Sequence, residues 1–272
     1  MKNTVSEHTS VRTKIVLLGS IGTAVECLEW LLEQPDFEVL GVICSRERKS
    51  KWREATGDRD MQEVAPLLGV PIFSLDDLPL IEADLGLAIR FHQILERKHL
   101  GRFRLGIVNL HGAPLPELRG SMCDAVALME GASSFGVTLH WMDEGVDTGD
   151  ILAECRFPVS KRETVYRLFN RCNETGLKLV KTYLRDIAEE RRSGVPQRQI
   201  IEEKKLNVRT FTRKRVLQQK KVDPNEPERW WNIVRAFQFP GYEPAYIETS
   251  DGRIYLSIND NVPEYFEESE KR

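Results

Sequence analysis

The sequence lacks any apolar run of about 18 residues, the length a helix needs to cross a bilayer, so a membrane-spanning protein is not expected. Its opening residues, MKNTVSEHTSVRTK, hold no apolar segment of the kind an export leader carries. A cytoplasmic location is the expectation. Cysteine is scarce: Cys27, Cys44, Cys123, Cys155 and Cys172 are odd in number, widely spaced and contain no C-x-x-C pair. That pattern speaks against a disulfide framework and against a metal site, and for reduced thiols. No internal repeat or low-complexity tract is present. An excess of one charge is missing too, since 39 Lys and Arg stand against 42 Asp and Glu. The total therefore gives no electrostatic case for a nucleic-acid partner.

What the chain does have is length and alternation. Its 272 residues, 41% of them hydrophobic, can bury a substantial core as one large domain or one domain with an appendage. Residues 14–20 (KIVLLGS) read as a buried strand, and 23–34 (TAVECLEWLLEQ) as a helix capped by Thr23. Residues 38–45 form the next strand, 61–68 a helix, 70–73 a short extended piece and 84–89 (DLGLAI) another strand. Strand and helix in alternation predict an α/β fold with a mostly parallel, Rossmann-like sheet and functional loops at the strand carboxyl ends. Gly19, Arg90 and His111 close three of those strands. Gly19-Ser20-Ile21-Gly22 lacks the third glycine of a dinucleotide fingerprint and reads as a strand-to-helix turn. Lys49, Lys51, Trp52 and Arg53 are either a solvated loop or a basic, aromatic loop that holds a phosphorylated substrate.

Residues 108–150 carry the chemistry. Asn109 and His111, two apart on a strand, project to one face. They are either a hydrogen-bonded strand terminus or an amide donor beside a titratable base. The run GVTLHWM (136–142) is a second strand, followed by DEGVDTGD, whose Asp143, Glu144, Asp147 and Asp150 each offer a carboxylate. Amide, imidazole and carboxylate suit acyl transfer to an amine, which needs an oxyanion donor, a base and a group that orients the base or relays its proton. Pro114, Pro116 and Gly120 shape the intervening loop. Arg119 presents a planar fork, either to a phosphate or carboxylate or to loop carbonyls.

The pattern NLH-x-APLPELRG, then FGVTLH-x-MDEGVDTGDI, resembles the signature of the folate-dependent formyltransferases over roughly residues 15–154. The resemblance implies Asn109, His111 and Asp147 as the catalytic set and 10-formyltetrahydrofolate as formyl donor. It implies that His92, Gln93, Ile94 and Leu95 hold the pterin, largely through main-chain groups, with Asp143, Glu144 and Val146 lining the other side. Arg119, Gly120 and Ser121 become acceptor contacts. The chain departs from a common form of the pattern at Ala113, where many members carry serine, and at Gly112, where proline is frequent.

Downstream, apolar residues from 163 to 188 recur at helical spacing and predict one long amphipathic helix that ends near Ser193-Gly194. The reading closes a formyltransferase domain at about residue 200 and leaves 201–272 as a small subdomain. Its basic run EEKKLNVRTFTRKRVLQQKK (202–221) reads as a charged surface hairpin or loop, or else as a tRNA-binding stripe. A helix starts near Pro227 and stops at Phe239-Pro240-Gly241, with short strands around Tyr246 and Ile254. The RAF-x-FPG phrase resembles the tail of sugar N-formyltransferases. That branch implies a nucleotide-linked 4-amino-4,6-dideoxyhexose as acceptor and a role in O-antigen synthesis; the alternatives are methionyl-tRNA formylation and a non-catalytic folate or sugar binder. Trp230, Trp231, Phe239 and Tyr242 could stack on a base, pack in a core or mediate a homodimer.

Overall fold

The structure, a computed structural model, describes residues 12–45 and 50–258. The elements run β1 (Thr13–Leu18), α1 (Gly22–Leu32), β2 (Phe37–Ile43), α2 (Lys51–Thr56), α3 (Met61–Leu67), β3 (Ile72–Phe73), β4 (Ala83–Ile89), α4 (Arg97–Leu100) and β5 (Phe103–His111). They continue with β6 (Leu118–Gly120), α5 (Cys123–Met129), β7 (Ser134–Trp141), β8 (Ile151–Pro158) and α6 (Val165–Ala188). The remainder is α7 (Gln197–Lys204), β9 (Arg209–Phe211), α8 (Arg213–Leu217), α9 (Pro227–Ala236), β10 (Ala245–Thr249) and β11 (Gly252–Leu256).

Seven strands form the central sheet in the order β3-β2-β1-β4-β5-β7-β8. The first five are parallel, β7 runs antiparallel to β5, and β8 runs antiparallel to β7. The interior of β1 and β4 is fully buried, which is why both read as continuous apolar runs rather than alternating ones. Strand order reverses between β1 and β4, the place where α/β sheets open a crevice at their carboxyl ends. Gly19, Arg90 and the end of β5 surround that crevice.

Helix α6 packs on β5, β7 and β8 through Leu168, Cys172, Val180, Leu184 and Ile187, all nearly inaccessible. Each such aliphatic side chain contributes roughly 1.5–3 kcal/mol by leaving water. Thr164 caps α6 by accepting the Arg167 N–H at 3.4 Å. The helix stops at Ala188, short of the expected Ser193-Gly194, because Glu190 adopts the left-handed φ of +56°.

Three local expectations are corrected. Thr23 does not cap α1; Ile21 occupies the cap position, and the Gly22 N–H is satisfied by the Asp58 carboxylate at 3.2 Å. Residues 51–53 are not a solvated loop but the start of α2. Arg53 is buried, donating to Asp58 at 2.9 Å and to the Ser20 and Arg59 carbonyls, both at 2.9 Å. Trp52 packs edge-on against Phe169 and Phe239; Lys49 lies outside the described residues. The third correction concerns the basic run.

Residues 202–221 form no hairpin. The run ends α7, supplies β9 and forms α8, and β9 pairs in parallel with β6, Gly120 opposite Phe211. An edge strand supplied by the loop after His111 captures the segment, and Val216 goes into the core. Helix α9 packs on α5 and Phe239 on Trp52 and Phe169, so the tail is sewn to the first 200 residues along its length. The anticipated helix at Pro227 and the strands around Tyr246 and Ile254 are present as α9, β10 and β11.

Candidate active site

Strand β5 delivers Asn109 and His111 to one face, and the antiparallel β7 places His140 directly opposite Asn109. Asn109 Nδ2 lies 3.0 Å from His140 Nε2. On its other side, the His140 ring donates from Nδ1 to the Trp141 carbonyl at 2.7 Å. That fixes the neutral tautomer: Nδ1 carries the proton and Nε2 accepts from the Asn109 amide. One N–H of Asn109 remains for the site. His140 stands inside the motif but was not singled out from sequence. Its role depends on strand pairing, and only the alternation along β7 could have signalled it.

His111 is held by a different partner. Its Nε2 donates to the Leu118 carbonyl at 2.9 Å, so the lone pair of the neutral ring is on Nδ1. That nitrogen faces Asp147 Oδ2 at 3.5 Å. Burial pulls the His111 pKa below its usual 6.5, while the Asp147 carboxylate pulls it up and His140 pulls it down. The ring is a neutral base with an anion waiting beside the nitrogen that would take the proton.

Asp147 reaches the pair from the turn after β7, where its backbone has a left-handed φ of +53°. Aspartate tolerates that conformation better than most residues. Its Oδ2 accepts the Gly120 N–H at 2.8 Å, and its Oδ1 lies 3.6 Å from His140 Nε2. Burial would raise its pKa, but a hydrogen bond from the His140 ring in its protonated form, the charge of a protonated His111 and the Gly120 N–H hold it at about 2. The carboxylate is charged throughout the working range. Asp143 does not take this place: it turns back on the loop, accepting from Gly145 at 3.0 Å and Thr148 at 2.6 Å.

Gln197, the first residue of α7, braces the turn from below. Its amide donates to the carbonyls of Asp147 at 2.9 Å and Gly149 at 2.8 Å, and its oxygen accepts from Arg119 at 2.6 and 3.2 Å. Arg119 is thus engaged with a side chain of the protein rather than presented as an open fork. Burial lowers its pKa, with Asp147 and Asp143 opposing. Gly120 needs its φ of +88°, and a β-carbon there would strike the Phe211 carbonyl. Ser121 follows, exposed, its N–H bonded to Phe211 O at 2.9 Å. Thr138 ties the loop to β7, donating to Ala113 O at 2.9 Å and accepting from Leu115 N at 3.1 Å.

Residues 92–95, between β4 and α4, belong to no helix or strand. Ile94 is 88% exposed, whereas Leu95 is buried in the core with Leu78 and Phe103. The acidic turn comes up to the same region: Arg97 of α4 meets Glu144 at 3.4 Å, and Val146 is exposed. The two segments the resemblance pairs as folate walls therefore lie side by side. Irregular backbone beside the exposed side chains of Ile94 and Val146 fits a flat heterocycle.

The chain resembles known proteins in both sequence and fold. Residues 74–184 match the family model described as formyl transferase. A methionyl-tRNA formyltransferase from Synechocystis sp. is 30% identical over 194 residues, which cover 68% of this chain; the chain spans 59% of that relative's length. Among solved structures, an N-formyltransferase from Helicobacter canadensis, in complex with folinic acid and dTDP-3-aminofucose, superposes with a TM-score of 0.74 at 20% identity. The match covers 89% of this chain and 86% of that one. A 4-N formyltransferase from Francisella tularensis gives a TM-score of 0.73 at 16% identity, covering 91% and 98% of the two chains. At these identities the two structures establish likeness of fold. The fold is that of an α/β protein with a mostly parallel sheet, shared with these two structures. Residues 74–184 form a formyl transferase domain.

Proposed function

We propose that the protein transfers a formyl group from 10-formyltetrahydrofolate to the amine of a nucleotide-linked amino sugar, with a 4-amino-4,6-dideoxyhexose as the first acceptor to test. The observation that carries the reaction is the convergence of Asn109, His111 and Asp147, with His111 bonded at Nε2 and bare at Nδ1. The donor, held by residues 92–95 and 143–146, supplies the formyl carbon. The free N–H of Asn109 is a donor for the charge that develops on the formyl oxygen. His111 Nδ1 takes the proton that the attacking amine loses, and Asp147 stabilises the resulting imidazolium. The proton then goes to the departing folate nitrogen, so the exchange of one C–N bond for another balances.

Support for a sugar acceptor comes from the fold-level likeness to enzymes of that kind and from the tail. Methionyl-tRNA is the rival, favoured by the Synechocystis relative. Against it, part of the basic run is already paired with acids: Arg209 with Glu130, Lys220 with Glu243 and Lys221 with Glu248. A stripe neutralised in this way offers less to a phosphate backbone. We retain within the proposal a role in surface-glycan synthesis, a formyltransferase unit over residues 1–200 with an acceptor-side tail over 201–272, and pairing of two copies through that tail. The test is to incubate the protein with 10-formyltetrahydrofolate and either a panel of nucleotide-linked amino sugars or charged initiator tRNA. Formylated product is read by mass spectrometry. Formyl-sugar is expected; formyl-methionyl-tRNA alone would reverse the assignment of the acceptor.

A further inference from the structure

Arg90 follows β4 at the switch point of the sheet, and the transfer step above does not use it. Its backbone is left-handed, with φ of +52°, a conformation in which an ordinary side chain is strained. Helix α6 fixes the side chain from two directions. Nε donates to Asn173 Oδ1 at 3.0 Å, and the guanidinium carbon stands 4.6 Å from the centre of the Phe169 ring.

On a third side lies Gly112, next to His111. A β-carbon at residue 112 would come within 2.6 Å of Arg90 Cζ and 2.7 Å of each terminal nitrogen. The φ of Gly112 is not in the left-handed region, so the backbone does not demand glycine. The guanidinium does. The family pattern's frequent proline could not stand here with Arg90 in this position.

The guanidinium is incompletely satisfied. Its Nη2 is buried without a hydrogen-bond partner among the described residues, and an orphaned charged donor calls for an explanation. Facing it from other elements are Asp124 and Cys123 of α5, Cys172 of α6 and His111 of β5. Asp124 is a poor counter-ion, because burial pushes its carboxyl up against the pull of Arg90. The other natural anion position at this end of the sheet, the N-terminus of α1, is filled by Asp58.

We propose that Arg90, seated by Gly112, binds an oxyanion of the acceptor, a phosphate or carboxylate, beside the catalytic strand end. The proposal rests on the reading of the site as one that formylates an acceptor amine. A folate donor also carries carboxylates, so the test must separate the two sources. In steady-state kinetics of the full chain with a nucleotide-linked amino sugar, Arg90→Gln should raise the acceptor KM by about tenfold or more. It should weaken inhibition by inorganic pyrophosphate by a like factor and leave the KM for 10-formyltetrahydrofolate in place. Gly112→Ala keeps the charge but displaces it, and should raise the acceptor KM in the same way. The double variant should be no worse than Arg90→Gln.

A rise in the donor KM instead would move the contact to folate and overturn the proposal. A fall in kcat with both KM values and pyrophosphate inhibition unchanged would make Arg90 a strut and overturn it as well. Should Arg90→Gln not fold, Gly112→Ala decides alone by the same readings. Should the wild type formylate no amine, the formyl-transfer reading fails by itself; calorimetric titration of wild type and variant with pyrophosphate still decides Arg90.

Discussion

His140 and Asn109 meet across β5 and β7 at 3.0 Å, and the contact decides which way the Asn109 amide points. With Nδ1 bonded to the Trp141 carbonyl, Nε2 of His140 accepts and Asn109 must present its nitrogen to it. Removing the ring frees the amide to rotate, and a misplaced oxyanion donor costs roughly ten- to a hundredfold in rate. His140→Ala is therefore expected to lower kcat by about that factor, with smaller changes in either KM. A variant that folds and turns over at the wild-type rate would remove His140 from the scheme.

Much of this arrangement was legible in the chain because it is written locally. The buried strands announce themselves as apolar runs, and Asn109 and His111 share a face through the two-residue period of a strand. What escaped reading was non-local. The N–H of Gly22 finds its acceptor 36 residues away in Asp58, so a local capping rule chose Thr23 instead. Strand β9 is made by its pairing with β6, some 90 residues earlier in the chain, and its own three residues carry no strong strand signal. His140 likewise acquires meaning only from the register that sets it against Asn109.

Gln197 links the turn bearing Asp147 to α7 and Arg119, and its side chain is 3% exposed. Gln197→Ala strands two carbonyls that it satisfies, those of Asp147 and Gly149. The expected loss is about 2–3 kcal/mol of stability, measured as a shift of the urea midpoint, together with a fall in kcat as the carboxylate drifts. Unchanged stability and unchanged rate would show that the turn holds itself.

Gly120 joins three features: its N–H binds Asp147, its φ is +88°, and its missing side chain lets β9 approach. Gly120→Ala should strain the backbone by about 1–3 kcal/mol and force β6 and β9 apart. A lowered melting temperature and a rate loss larger than that of Ser121→Ala are expected. Equal rates in the two variants would detach the β6–β9 pairing from catalysis.

The pH dependence follows from the two shifted groups. Burial lowers the His111 pKa from 6.5, so the ring stays a free base below that pH. The His111 limb of the kcat/KM profile is accordingly expected on the acid side of 6.5, once the titration of the acceptor amine is measured separately. Asp147 acts to raise that pKa, so Asp147→Asn should move the limb further down while slowing the reaction. Stability has a matching sign. Below pH 6.5 the unfolded chain takes up a proton at His111 more readily than the folded one, and stability declines. Asp147, held at about 2 against its ordinary 3.8, contributes stability that is whole above pH 3.8 and is lost as the pH falls through about 2. Urea midpoints between pH 7 and pH 3 should show the first loss in wild type and in Asp147→Asn. An acid limb above pH 6.5, or one that moves upward in Asp147→Asn, would mean that His111 is not the buried base described above.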